Sequence, residues 1–211
     1  MIKIHHVPHS RSLRVVWLME ELGEPYWLIE VAYPPDAAFR AESPLGTIPY
    51  IEDDDGVRMG ESIAILQYLT GRRIQKALEL GLTVGPSPDP TAYAEHLQLL
   101  HLGEASLMTP LGFLARTRRL APDQQDNHTM CVCGDMVVRS AEALERKLAD
   151  GRPWLTGERL TIADISVGYG LYFARRRSFD ELLPEGVLAY ADRVTTRPAF
   201  QIALEARIDQ R

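Results

Sequence analysis

An α/β unit on a small mixed sheet, followed by an all-helical unit, is the fold class this sequence predicts. Three observations carry the prediction. Within residues 1–75 the hydrophobic spacing changes several times between that of a helix and that of a strand. After residue 90 the strand-like runs stop and only helical spacing remains. Between the two lies GLTVGPSPDP, residues 81–90, the richest Gly/Pro segment of the chain and one without a period, which reads as a linker. The expected domains are therefore residues 1–80, the linker at 81–90 and a helical bundle over 91–211.

The elements follow in order. Residues 1–5 form a short β-branched start. Val15, Leu18, Met19 and Leu22 recur at i, i+3, i+4 and i+7, one face of a helix, with Gly23 and Pro25 as its cap and stop. Residues 26–31 read as a strand, and Pro34, Pro35, Pro44 and Gly46 bracket a loop-rich stretch with room for at most a short helix. Residues 49–53 and 57–59 flank Asp53-Asp54-Asp55-Gly56. Asp-Gly between two strand-like runs predicts a hairpin whose two central residues both take positive φ. Ser62 opens a helix carrying Ile63, Leu66, Tyr68 and Leu69 that ends near Gly71. A helix between the first two strands makes a right-handed parallel crossover, and the hairpin adds antiparallel strands. That is the thioredoxin-like pattern.

In the helical half, residues 91–102 form a helix whose apolar content continues through Leu107, Met108 and Leu111, with Pro110 expected to kink or break it. Another helix covers residues 128–149. Thr161 followed three residues later by Asp164 predicts a capping box, stapled by Leu160 and Ile165. Such a box is a folding device contributing about 1 kcal/mol and no chemistry.

Composition narrows the function. The 211 residues are 45% hydrophobic and 25% charged, and 23 Lys+Arg against 29 Asp+Glu leave a net charge of −6. That argues against a phosphate-backbone binder, so no nucleic-acid partner is expected. Two cysteines exclude a disulfide framework and a four-cysteine metal site, and fit a cytoplasmic compartment. No apolar run approaches the ~18 residues that span a bilayer, and MIKIHHVPHS lacks the apolar core of a secretory signal, so no membrane partner is expected and the chain should begin near Met1.

Three short segments carry candidate chemistry. His9-Ser10-Arg11-Ser12 ends the first strand just before the first helix, whose N-terminus favours an anion. Redox proteins of this pattern place cysteines there; this chain places serines. A serine hydroxyl cannot exchange disulfides, but it can donate to the thiolate of a bound ligand. Lowering a thiol pKa from ~8.5 by two units requires about 2.7 kcal/mol of preference for the thiolate, within reach of one charge-assisted bond plus a helix terminus. The plainer alternative is that Ser10 and Ser12 merely cap the helix. Thr47-Ile48-Pro49 leads into the third strand, and a cis Ile48–Pro49 bond would present the Ile48 backbone to a peptide ligand; the sequence leaves the isomer open. Gly60-Glu61-Ser62 supplies a carboxylate for an ammonium group and a helix start for a carboxylate ligand, with simple capping again the alternative. Converging on one sheet end, the three describe a pocket for a small zwitterionic thiol peptide.

The segments IHHVPHSRSLRVVWLMEELGEPY and SPLGTIPYIEDDDGVRMGESIAILQYL resemble the thioredoxin-like domain of soluble glutathione S-transferases, particularly bacterial and fungal members with an S-R-S segment. LQLLHLGEASLMTPL and LTIADI resemble segments of that family's helical domain. The resemblance implies the glutathione transferase fold, usually a homodimer, and a detoxification enzyme acting on glutathione and a small apolar electrophile, with no cofactor and no metal. It implies Ser10 as the residue hydrogen-bonded to the glutathione sulfur, with Ser12 as the runner-up. Ile48, before the family's cis proline Pro49, would meet the cysteinyl backbone, and Glu61 and Ser62 the γ-glutamyl end. Thr47 stands where many relatives carry a longer lysine, glutamine or arginine, which weakens a contact to the glycyl carboxylate. Two other functions fit the same pocket: glutathione-dependent disulfide or peroxide reduction, and a non-catalytic binding or scaffold role.

The remaining candidates have plainer explanations. His5, His6 and His9 lack a fourth ligand at a recognisable spacing and read as ordinary strand-end histidines. Cys131 and Cys133 point about 200° apart on a helix and read as small packing residues. The arginine runs at 116–119 and 175–177 read as solvated faces or ion pairs. Met108, Leu111, Phe113, Tyr169 and Tyr172 read as core, so they do not define an electrophile site.

Overall fold

The computed structural model describes residues 1–43, 45–86 and 88–206; Pro44, Ser87 within the expected linker, and 207–211 lie outside the described residues. Contacts divide the chain into two units, Met1–Thr83 together with the segment from Thr196 onward, and Val84–Thr195.

In the first unit four strands, β1 (Ile2–His6), β2 (Tyr26–Glu30), β3 (Tyr50–Glu52) and β4 (Arg58–Met59), form one sheet in the order β2-β1-β3-β4. β1 and β2 are parallel, joined by α1 (Ser12–Leu22), and β3 runs antiparallel to both β1 and β4. α2 (Ala37–Glu42), capped by the Asp36 carboxylate, lies in the loop-rich stretch, and α3 (Ser62–Arg72) follows the hairpin. Helix α4 (Ile74–Leu80) occupies a stretch to which the sequence pattern assigned no element.

The hairpin departs from the expected form. Asp55 does not take positive φ; Gly56 does, at +80°. Gly56 N–H donates to Asp53 O (3.1 Å), and Asp53 Oδ1 accepts from both Asp55 N–H and Val57 N–H. The Asp53 side chain thus stabilises an ordinary turn closed by a left-handed glycine, a longer solution than the two-residue loop.

The expected helical domain, 91–211, also needs correction at its end. Helix α10 (Pro198–Glu205) packs with the first unit, not with the helical half. The buried rings of Trp17 and Phe200 meet edge-on with centroids 5.1 Å apart, and Arg197 Nη2 donates to Glu21 Oε2 at 2.8 Å. The cause is local to α1: it buries Leu13, Val15, Val16, Trp17, Leu18 and Met19, more than one stripe, so the sheet alone cannot cover it.

The second unit is helical, with α5 (Pro90–Leu102), α6 (Thr109–Thr117), α7 (Asn127–Leu148), α8 (Ile162–Arg176) and α9 (Glu185–Thr195). Pro110 does not break the chain of helices. Gly103–Met108 forms a π-helical segment that carries α5 directly into α6. The Ser106 carbonyl, which an α-helix would pair with the missing N–H of Pro110, accepts instead from Ser140 Oγ on α7 at 3.0 Å. At Gly103 a Cβ would lie 2.3 Å from Ser166 Oγ, so α8 packs on bare backbone there, and Ser166 Oγ donates to Leu100 O at 2.7 Å. Cys133 is buried as expected of a packing residue, whereas Cys131 is exposed, a correction that follows from their angular separation on α7. Within the arginine runs, Arg118 pairs with Glu181 and Arg175 with Asp180 and Asp192. Among the described residues no helix is long and apolar enough to cross a membrane.

Candidate active site

β1 ends at His6, and the chain turns back on itself before α1. Ser10 N–H donates to Val7 O (3.1 Å), and His9 takes the left-handed conformation at φ +61° to make the turn. Leu13 N–H and Arg14 N–H then donate to the Ser10 and Arg11 carbonyls, so the first turn of α1 closes on this segment. Ser10 Oγ accepts from Ser12 N–H at 3.3 Å, while the N-cap position itself is Arg11, which makes no side-chain cap.

Ser12 does something else. It is fully buried as the first residue of α1, and its Oγ reaches back under the turn. It lies 2.8 Å from His6 Nδ1, 2.8 Å from Ser10 Oγ, and 3.3 Å from both the N–H and the carbonyl of Val7. Ser10 is half-buried and is the member of this chain that reaches the surface. Burial, with His9 nearby, holds the His6 imidazole down to about 4, so it is neutral at neutral pH.

The other two segments meet this one at the same sheet end. The Ile48–Pro49 peptide bond is cis. Ile48 packs with Val7 on the small cluster of Val31, Phe39 and Tyr50, and His5 lies opposite Tyr50 in the sheet register. Gly60 sits against Leu45 and the Pro49 carbonyl, where a Cβ would come within 3.3 Å of Leu45 Cδ1. Glu61 is exposed and holds φ +65°, a conformation costing a non-glycine residue roughly 1–3 kcal/mol. Ser62 begins α3, buried, and its Oγ accepts from Arg14 Nη1 at 3.0 Å, tying the start of α3 to α1. Ser10 and Ser12 are thus hydrogen-bonded to each other, Ser62 is tied to α1 through Arg14, and Ile48 and Pro49 lie beside Val7 and Gly60. Thr47 is exposed on the preceding loop, and among the described residues no hydrogen bond joins it to the others.

Two residues at this site have no role in the sequence reading. His6 counts there only as a weak metal candidate, yet it anchors Ser12. His5 and His6, adjacent on a strand, face opposite ways: His5 Nε2 meets Glu52 Oε1 at 3.0 Å on the side of Phe39 and Tyr50. Among the described residues no cluster of three His, Cys, Asp or Glu is placed to hold a metal ion. Arg14 is fully buried behind Ser62. The sequence does carry a signal for it, since a charged residue four positions before Leu18 falls on the apolar stripe of α1.

The first unit is thioredoxin-like, a parallel crossover followed by an antiparallel hairpin, and the second is all-helical; together they define the class. Residues 10–72 match the N-terminal domain and residues 112–197 the C-terminal domain of glutathione S-transferase. The chain is 29% identical to glutathione S-transferase 3 of Schizosaccharomyces pombe, over 97% of this chain and 87% of that protein. It superposes on a glutathione transferase family member from Pseudomonas fluorescens, crystallised with two glutathione bound, with a TM-score of 0.80 and 25% identity, covering 97% and 92% of the two chains. A glutathione S-transferase from Actinobacillus pleuropneumoniae gives 0.76 and 26% over 97% and 92%. The chain belongs to the glutathione S-transferase family.

Proposed function

We propose that this protein is a serine-type glutathione transferase that holds glutathione at the end of its sheet and keeps the sulfur as a thiolate for attack on an apolar electrophile. The observation that carries the reading is the Ser10 hydroxyl, half-buried at the mouth of a buried polar chain and just before the N-terminus of α1. A hydroxyl donor and a helix N-terminus both favour the anionic sulfur over the neutral thiol. The bound glutathione of the Pseudomonas fluorescens relative supports the choice of ligand. Ile48 would offer its backbone beside Pro49 to the cysteinyl moiety, and Glu61 and Ser62 would take the γ-glutamyl end, with Arg14 fixing Ser62. Thr47, short and exposed, would leave the glycyl carboxylate weakly held.

In the reaction the thiol proton leaves to solvent. The sulfur lone pair forms the new bond to the electrophilic carbon, and the leaving group departs with its electron pair. The protein forms no covalent intermediate, so proximity and thiolate stabilisation carry the rate. A homodimer acting in the cytoplasm completes the proposal.

Ser10→Ala should lower kcat/KM toward an aryl halide roughly 10- to 100-fold and raise the pKa of the bound thiol by about one to two units. An unchanged pH–rate profile would move the role to Ser12 or to the backbone. Failure of the wild-type protein to bind glutathione at millimolar concentration would end the proposal. A mixed-disulfide assay run beside the aryl halide separates conjugation from reduction.

A further inference from the structure

The chain of hydroxyls behind Ser10 can run in either of two directions, and the His6 tautomer distinguishes them. Ser12 Oγ has one proton to give and two lone pairs. Val7 N–H occupies one lone pair at 3.3 Å. The Val7 carbonyl, also at 3.3 Å, competes for the proton, but giving it the proton would leave one lone pair for both closer partners. The two contacts at 2.8 Å, His6 Nδ1 and Ser10 Oγ, therefore take the remaining donor and acceptor places. Two arrangements satisfy both 2.8 Å contacts.

In the first, Nδ1 is bare. Ser12 donates to it, Ser10 donates inward to Ser12, and Ser10 presents a lone pair to the outside. In the second, Nδ1 carries the ring proton and donates to Ser12, and Ser12 donates to Ser10. Ser10 also accepts from Ser12 N–H, so both its lone pairs are filled and its single proton points outward. A thiolate beside Ser10 is hydrogen-bonded in the second arrangement and faces a lone pair in the first.

We propose that His6 is a positioning residue for the reaction: as the Nδ1–H tautomer it donates to Ser12, Ser12 donates to Ser10, and the Ser10 hydroxyl is turned out toward the glutathione sulfur. The inference rests on the glutathione transferase reading and deepens it. No proton passes between protein and ligand; His6, Ser12 and Ser10 keep theirs, and the thiol proton goes to solvent. Because burial and the neighbouring His9 keep His6 neutral, the ring holds one proton over the whole range in which a thiol ionises, and the question is which nitrogen bears it. The pleat places His6, and not His5, within reach of Ser12: His5 is engaged with Glu52 on the opposite face.

The test uses the full chain with glutathione and reads the pKa of the bound thiol from thiolate absorbance. His6→Leu removes the ring donor and should raise that pKa by about one unit, ~10-fold less thiolate at neutral pH, while the glutathione Kd changes less than about threefold. His6→Asn, whose amide can donate from near the Nδ1 position, should restore it. Nitrogen NMR of the wild-type complex should show the Nδ1–H tautomer at His6, a readout that needs no variant to fold. An Nε2–H tautomer in that complex, or a His6→Leu pKa equal to wild type while Ser10→Ala still raises it, overturns the role of His6 and leaves the enzyme reading standing. A wild-type complex whose thiol titrates as in free solution overturns the enzyme reading itself.

Discussion

Two helix starts in this chain are built around buried polar clusters, one in each unit, and they differ in one respect. At α8 the Asp164 carboxylate is fully buried. Oδ1 accepts from Leu155 N–H (2.8 Å) and Tyr190 Oη (2.7 Å), and Oδ2 from Thr161 N–H (2.8 Å) and Thr161 Oγ1 (3.0 Å). Four donors fill the four lone-pair positions, so the cluster is closed. Burial pushes the Asp164 carboxyl up, and those donors pull against it. At α1 the His6–Ser12–Ser10 chain is equally well connected inside but ends at a half-exposed hydroxyl. The closed cluster has no place left for a further partner; the open one ends on a hydroxyl that, in the proposed function, meets the ligand. A capping box read from sequence as a device contributing about 1 kcal/mol is, with its further partners from Leu155 and Tyr190, a tertiary joint.

The sharpest way to break this contrast is Asp164→Ala. It strips four buried groups of their acceptor at once and should cost more than about 3 kcal/mol, read as a lower urea midpoint at unchanged m. A loss under about 1 kcal/mol would mean the cluster is not closed.

Acid comes next. His6 in the open cluster and His96 in α5 are both buried and held near 4 instead of 6.5. The unfolded chain protonates each below 6.5 and the folded chain does not, so stability is full above about pH 6.5 and declines toward pH 4. Each contributes about 3 kcal/mol to that decline. Unfolding titrations should show the decline, and His6→Asn should remove roughly half of it. Persistence of the full decline in that variant would place the titration elsewhere.

The smallest effect separates stability from function within the open site. Glu61→Gly relieves the positive φ and should raise stability by about 1 kcal/mol while weakening glutathione binding. Calorimetry and a glutathione titration on the same sample measure both; a variant that gains stability and binds unchanged would remove Glu61 from the ligand.

Much of the architecture was legible in the sequence because periodicity and caps are local. Val15, Leu18, Met19 and Leu22 mark α1, Gly23 closes it in the left-handed conformation, and Thr161 with Asp164 opens α8. Errors arose where a distant partner decides. Pro110 reads as a kink or a break, and which of them depends on Ser140, thirty positions on, satisfying the Ser106 carbonyl. Asp-Gly reads as a two-residue turn until the Asp53 carboxylate takes two backbone donors. Residues 198–205 read as part of the bundle until Phe200 meets Trp17.

The candidate site divides in the same way. By itself the sequence determined the residue types at the strand end and the two helix starts, the absence of cysteine at that place and the family, because these are written in contiguous segments. Only the tertiary structure decided that Ser12 is buried and Ser10 half-exposed, that His6 rather than His5 stands behind them, and that Arg14 holds Ser62. Those choices depend on which way a side chain leaves a pleated strand and on what packs above it, and no spacing along the chain encodes either.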